Sequence, residues 1–264
     1  MSLYGTQEDS DARYIALFGT RTRFVVMVLV LLCLTSIWSN ILTFNFAIIC
    51  MGPNEGNDTM ANSSIGRDDR YTYTSVEKTW ITSTVAVAAL LFNFPVVMMV
   101  NRVGIRTVFT VLGMISAVAT IMMPTVVRWG YIGVLICRFL QGLGFAGNFP
   151  VIGLFVSKWT YFKQLGMFSS TLVAYVQLSP AITMPVSGAL CDAFDWPSVF
   201  YAHGAVSLIL FIVYALFYRN SPQKHPFVGE VEIGKISKGK ATIDKKTLRT
   251  IPYAAILKTP AVWA

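Results

Sequence analysis

The chain has 264 residues, 55% of them hydrophobic and only 13% charged, against about 25% charged in an ordinary soluble domain. That balance excludes a typical soluble domain and indicates an integral membrane protein whose main partner is the lipid bilayer. The formal net charge of +8 does not indicate nucleic acid, because the basic residues fall between long apolar runs rather than beside stacking aromatics, as membrane topology requires.

In chain order, residues 1–23 are polar and basic and read as a cytosolic tail. A six-helix transmembrane bundle is expected over 24–218. A crossing needs about 20 mostly apolar residues, and six runs supply it: Phe24–Met51, Thr79–Val100, Thr107–Val127, Trp129–Ser157, Gln164–Cys191 and Trp196–Tyr218. All but the fourth lack Lys, Arg, Asp and Glu. The first is too long for a signal peptide's apolar core and starts too far from the N-terminus, so it reads as a retained span. Residues 219–250 form a polar, basic stretch expected to be a solvated cytosolic linker, with a phospholipid-facing patch as the other reading. A seventh run starts near Ile251 and is cut off at Ala264. Its expected reading is the truncated start of a seventh span over 251–264, the chain being a truncated product or a fragment.

Basic residues set the orientation. With the N-terminus in the cytosol, sixteen Lys and Arg fall inside, and only Arg67, Arg70, Lys78 and Arg128 fall outside, Arg138 being within the membrane. The first outside loop also carries two glycosylation tripeptides, at Asn57 (NDT) and Asn62 (NSS). Four cysteines show no metal-type spacing. Cys33 and Cys137 read as small buried hydrophobes. Cys50 and Cys191 fall near the outside ends of their helices, where a disulfide is one option, although the sequence does not fix their separation.

The sharpest feature is "ICRFLQGLGFAGNFP", residues 136–150. An arginine near the bilayer centre costs about 2.5–3.5 kcal/mol on insertion scales, so Arg138 must face the bundle interior, a cavity or a carbonyl partner. On a helical wheel, Gln141, Gly142, Phe145 and Asn148 lie close to it. One reading makes Arg138, with Gln141 and Asn148, a cavity stripe for an anionic or hydrogen-bonding solute, because guanidinium offers a fixed donor fork. The other has Arg138 donate to helix carbonyls and only tie helices together. Gly142, Gly144, Gly147 and Gly153, with Ala146, provide small surfaces on which helices approach closely. "NRVGIRT", Asn101–Thr107, is expected to be a short inside turn, with Arg102, Gly104 and Arg106 meeting headgroups and helix-end charge. Asn40, Asn45, Asn93, Gln177 and His203 are further polar groups within spans. Each can reach a cavity or bond across helices, and His203 alone among them titrates near neutral pH. Asp192 and Asp195 are expected in the outside loop after the fifth span.

From "CRFLQGLGFAGNFP" onward the sequence resembles the anion:cation symporter branch of the major facilitator superfamily, which includes sialin, the vesicular glutamate transporters and sodium–phosphate cotransporters. The family pattern is approximately R-x-L-Q-G-L-x-E-G-x-x-x-P, matched with near-identical spacing by Arg138, Leu140, Gln141, Gly142, Leu143, Gly147 and Pro150. "SKW", "MPVSGALCDAFDWPSVFYAHG", "NSPQKHPF" and "IPYAAILKTPAVWA" fit its later helices and loops. "NRVGIRT" resembles the superfamily's inside loop, with Asn101 at its acidic position and Val97 at its leading glycine. Phe145 stands where many members carry a glutamate, and neither the first-helix arginine nor the second-helix histidine of vesicular members is present. The resemblance implies the N-terminal half of an all-α, polytopic transporter that moves a small solute, an organic anion or phosphate, by alternating access with a coupled proton or sodium ion. The expected location is a plasma or endolysosomal or vesicular membrane. A transport-inactive half acting as scaffold or regulator, and a six-helix channel, are the competing readings. No metal or cofactor motif and no catalytic signature of an enzyme occurs in the spans.

Overall fold

The computed structural model describes residues 21–51 and 73–237. Asn57, Asn62, most of the tail, the linker beyond 237 and the start of the seventh run lie outside the described residues. Among the described residues the secondary structure is entirely helical. The helices are α1 (Thr22–Met51), α2 (Ser75–Val103), α3 (Ile105–Trp129), α4 (Tyr131–Phe145), α5 (Asn148–Trp159), α6 (Leu165–Val173), α7 (Tyr175–Phe194), α8 (Trp196–Phe217) and α9 (Glu230–Ser237). Two 3-10 turns, Phe162–Gln164 and Pro222–Lys224, complete the set.

Six stretches are long and apolar enough to cross a membrane, and they coincide with the six runs read from the sequence. Four of these spans are single helices, α1, α2, α3 and α8. The fourth span, Tyr131–Trp159, is α4 followed by α5. The fifth, Phe162–Phe194, passes through a 3-10 turn, α6 and α7. Across the bundle, α4 sits between α2 and α3, α3 packs on α8, and α1 packs on both α8 and α7.

Local chemistry explains where each helix begins and ends. Thr74 caps α2 in a reciprocal box: its amide donates to Glu77 Oε2 (2.8 Å), and the Glu77 amide donates to Thr74 Oγ1 (3.3 Å). "NRVGIRT" is not an open turn, as expected from its charge and glycine, because Gly104 is its one non-helical residue. Gly104 takes φ 102°, a conformation with little penalty only for glycine. A Cβ at that position would also overlap the Asn220 side chain. Gly130 (φ 111°) makes the corresponding break between α3 and α4, so Trp129 ends α3 instead of opening the fourth span. Asp195 turns the corner from α7 to α8 at φ 82°, with Pro197 in the first turn of α8 where a missing N–H costs nothing. Asp192 is consequently the exposed end of a helix rather than part of a loop.

The interior is layered. One apolar cluster joins Val26–Ile37 of α1 to Phe109, Phe155, Trp159, Phe168, Phe211 and Tyr214. A second joins Phe44, Ala47 and Met51 of α1 to Ile81, Met123, Val134 and Phe200. Between them lies a polar layer: Ser39, Asn40 and Thr43 of α1, Ser116 and Thr120 of α3, Arg138 and Gln141 of α4, and Ser207 of α8, all buried. Buried polar groups need partners, which is why this layer forms a network.

Candidate functional site

Arg138 occupies the eighth position of α4, about 10 Å along the helix from its first residue, and its side chain is fully buried. Nη1 donates to the Ile41 carbonyl of α1 (3.0 Å) and to Gln141 Oε1 (2.9 Å), and Nε donates to the Ile81 carbonyl of α2 (3.3 Å). The guanidinium also lies over the Phe44 ring, 4.9 Å from its centre, a favourable placement for a cation. Nη2 has no hydrogen-bond partner. Every group bonded to the charge is neutral. Phe145, the position of the resemblance's glutamate, instead sets its ring against Trp38 (4.9 Å) and Phe149 (6.2 Å).

Gln141 carries the network inward from the arginine. Its Nε2 donates to Thr120 Oγ1 (2.8 Å) and to the Asn40 carbonyl (3.2 Å). Asn40 Nδ2 donates in turn to Ser207 Oγ (3.0 Å) and Ser116 Oγ (3.4 Å), while Asn40 Oδ1 has no partner. One polar layer therefore links α1, α2, α3, α4 and α8. Among the groups singled out in the sequence, the structure brings Arg138, Gln141 and Asn40 together.

Asn148 opens α5, just after a tightened turn at Ala146 and Gly147 that keeps right-handed helical angles. It is fully buried, and its side chain meets the Tyr175 hydroxyl of α7 rather than the Arg138 network. Asn45, Asn93 and Gln177 are exposed on the bundle surface. At the glycines, a Cβ on Gly142 would collide with the Val85 carbonyl and Ala88 of α2, and one on Gly144 would press on Ser116 and Leu112 of α3. Gly147 is tight against Leu112 and Phe109, whereas Gly153 faces open space and closes no helix contact.

Sequence reading missed the hydroxyl groups. The buried residues of α7 are Tyr175, Ser179, Thr183 and Ser187, each four positions after the last, so they share one slowly winding face. Ser39 Oγ lies 2.6 Å from Thr183 Oγ1 and 3.0 Å from His203 Nδ1, and Ser187 Oγ lies 3.3 Å from His203 Nε2. The four-residue spacing was visible in the sequence. Serine and threonine in membrane helices so often bond to their own backbone that the pattern carries little signal alone.

At the end of the bundle where α1 begins, charge is handled differently. Thr22 Oγ1 donates to the Phe227 carbonyl (2.7 Å), the Arg23 amide donates to Glu232 Oε1 (3.2 Å), and Arg23 Nε lies 4.0 Å from the same oxygen. The stretch read as a solvated linker is thus helical over Glu230–Ser237 and folded beneath α1, with Glu232 and Ile236 buried. Arg106 donates from Nε (2.8 Å) and Nη2 to the Ala215 carbonyl at the end of α8, and its amide donates to Asn220 Oδ1 (2.9 Å). That is a cation on the carbonyl end of a helix, where the dipole favours it. Arg102 is exposed. His225 packs edge-on against Trp159 (5.6 Å) and Phe217 (5.0 Å). Burial pushes its imidazole below the usual histidine range, Arg219 acts in the same direction, and a hydrogen bond with the Phe217 backbone opposes them. At the other end, Cys50 of α1 and Cys191 of α7 form a disulfide with Cα atoms 6.6 Å apart, while Cys33 and Cys137 are free and buried.

The chain is similar to sodium-dependent phosphate transport protein 1 of Mus musculus (22% identical over 92% of this chain and 53% of that protein). It is also similar to human sialin (25% identical, 74% of this chain, 39% of sialin). A chloroplastic ascorbate transporter of Arabidopsis thaliana is 31% identical over 55% of this chain and 27% of its own length. The chain spans about half the length, or less, of the curated relatives it matches, and these relatives are transporters rather than enzymes. The family model of the Major Facilitator Superfamily matches residues 47–264, and with six spans in the arrangement above, the chain belongs to that superfamily.

Proposed function

We propose that this chain forms the N-terminal half of a secondary transporter that moves a small anion, an organic anion or phosphate, by alternating access between two half-bundles. One observation carries the reading. Arg138 is a buried cation whose bonded partners are all neutral, and one of its nitrogens has no partner. A permanent charge held this way leaves a positive potential in a low-dielectric interior, and an anion is the group that would satisfy it. Gln141 orients the guanidinium, and Asn148 offers a second buried polar group farther along the same span. Gly142 and Gly147 allow the close helix approach that keeps the site dry.

In this reading residues 24–218 are the membrane bundle, 1–23 and 219–250 lie in the cytosol, and 251–264 begin the next span. Arg102 then faces the inner headgroups, Gly104 makes the turn and Arg106 holds the carbonyl end of α8, and Asn57 and Asn62 carry glycans. The Cys50–Cys191 bond supports that orientation, because disulfides persist on the oxidising, non-cytosolic side. Plasma, endolysosomal and vesicular membranes all meet this condition. The coupled ion is a proton or sodium.

A second reading draws on the same bonds: Arg138 ties α1 and α2 to α4 and does nothing more, in a half that serves as scaffold or regulator. Reconstitution separates the two. This chain and the longest transcript containing it are placed in proteoliposomes, and uptake of phosphate, ascorbate and glutamate is measured. Uptake by the longer protein that Arg138→Gln abolishes, with the melting temperature kept, supports transport. No uptake of any anion by either protein overturns it.

A further inference from the structure

We infer that His203 is a proton-binding site at membrane depth, built by hydroxyls of two neighbouring helices. The histidine is the eighth residue of α8, about 10 Å along that helix from its outer end. Both ring nitrogens are engaged: Nδ1 with Ser39 Oγ of α1 (3.0 Å) and Nε2 with Ser187 Oγ of α7 (3.3 Å). Ser39 is bonded onward to Thr183 Oγ1 of α7 (2.6 Å). The ring therefore sits over the seam between α1 and α7 and holds both sides of it.

The nature of the partners is the argument. A hydroxyl both donates and accepts, so it satisfies either state of an imidazole nitrogen by rotating its O–H. When the ring is neutral, one nitrogen carries a hydrogen and the other accepts. If Nδ1 accepts, Ser39 donates to it and receives a hydrogen bond from Thr183. When a proton arrives from water, both nitrogens carry hydrogens and donate outward. Ser39 then accepts from Nδ1 and turns its own O–H toward Thr183, and Ser187 accepts from Nε2. One proton enters, no covalent bond to carbon changes, and the direction of the α1–α7 hydrogen bond reverses.

Charged groups do not hold the ring in one state. The charged residues on the helices packed against α8 are Arg23 of α1, Arg106 and Arg128 of α3, and Asp192 of α7. Each stands at a helix end, as does Lys163 before α6. The titratable Cys33 of α1 bonds instead to the Leu210 carbonyl, and Tyr175 lies two turns from Thr183 along α7. Arg138, on a helix that makes little contact with α8, bonds to α1, α2 and Gln141. The seam itself supplies only hydroxyls. Imidazole is the side chain whose unperturbed charge change falls in the physiological range.

This proposal rests on the transport reading only for its use in a cycle, so the test has two arms. The chain contains two histidines, and His225→Gln leaves His203 as the sole imidazole signal. Nitrogen-15 spectra of that protein in lipid nanodiscs should show one protonation step between about pH 5 and pH 8. Ser187→Ala, a mild change, should move its midpoint by at least threefold in proton concentration. A ring whose spectrum stays constant across that range overturns the proposal, as does a midpoint indifferent to both Ser187→Ala and Ser39→Ala. In the second arm, His203→Gln in the longer protein should flatten the pH profile of anion uptake. An unchanged profile rejects the role in coupling. Absence of uptake from the parent at every pH rejects the transport reading alone, and the spectra still decide whether His203 binds a proton.

Discussion

Arg138 and Arg23 are both buried arginines on adjoining helices, and they keep their charge in opposite ways. Arg23 lies at the end of α1, beside the Glu232 carboxylate and between the rings of Phe24 (5.0 Å) and Tyr161 (5.1 Å). Its charge is offset by an acid from the same chain, and its position serves to dock α9 under the bundle. Arg138 has carbonyls, an amide and one ring, all of them neutral. A structural cation is most cheaply held by a carboxylate, because an uncompensated buried charge is costly. The contrast separates an arginine that is internally neutralised from one whose field remains open to a solute.

The strongest way to break that comparison is to remove each charge. Arg138→Ala should lower anion uptake by at least about 30-fold, corresponding to roughly 2 kcal/mol for truncating a buried charged hydrogen-bonding group, and Arg138→Lys should recover only part of it because lysine lacks the fork. Equal loss of uptake and folded protein in both variants would make Arg138 structural, like Arg23. Glu232→Ala should leave uptake nearly intact and reduce stability, by roughly 1–3 kcal/mol, since it strands the Arg23 charge and amide. Thermal unfolding in detergent reads that effect.

Gly142 sharpens the comparison from the packing side. Gly142→Ala puts a methyl into the Val85 carbonyl of α2, one turn from the Ile81 carbonyl that Arg138 holds. Overpacking of this kind costs about 1–3 kcal/mol, and affinity for the anion should fall with it. Gly153→Ala meets nothing and should be neutral or slightly stabilising, by up to about 1 kcal/mol, as helix propensity predicts. Equal effects from the two substitutions would mean that the close α2–α4 approach has no part in the site.

The smallest expected effect is at the end of the bundle where α1 begins. Burial keeps the His225 imidazole below its ordinary value of 6.5. In that window the unfolded chain binds more protons than the folded one, so stability rises with pH. The contribution is complete above about pH 6.5 and is lost as pH falls toward the depressed value. Melting temperatures measured from about pH 7.5 down to pH 5 should decline less steeply in His225→Gln. An identical slope would mean that His225 adds nothing to the docking of the 222–237 segment.

How far the sequence disclosed this molecule depended on the kind of force involved. The six spans were legible because a bilayer demands long apolar runs, and no other fold satisfies a 28-residue stretch such as Phe24–Met51 without charge. Arg138 and Gln141 stood out because a charge at that depth is costly. Asn148 was not seen to open a new helix, since a wheel assumes one hydrogen-bond ladder and the ladder tightens at Ala146 and Gly147. The hydroxyl seam and the α9 docking were invisible for a related reason. Both depend on which distant residues meet, Ser39 with Thr183 and Arg23 with Glu232, and single-residue chemistry does not encode a partner 144 or 209 positions away.

The Cys50–Cys191 bond closes a covalent ring 141 residues around, enclosing α2 through most of α7. The first and fifth spans cannot part at the ends that carry Cys50 and Cys191 while that ring is intact. A path that opens at that end must run along some other seam of the bundle.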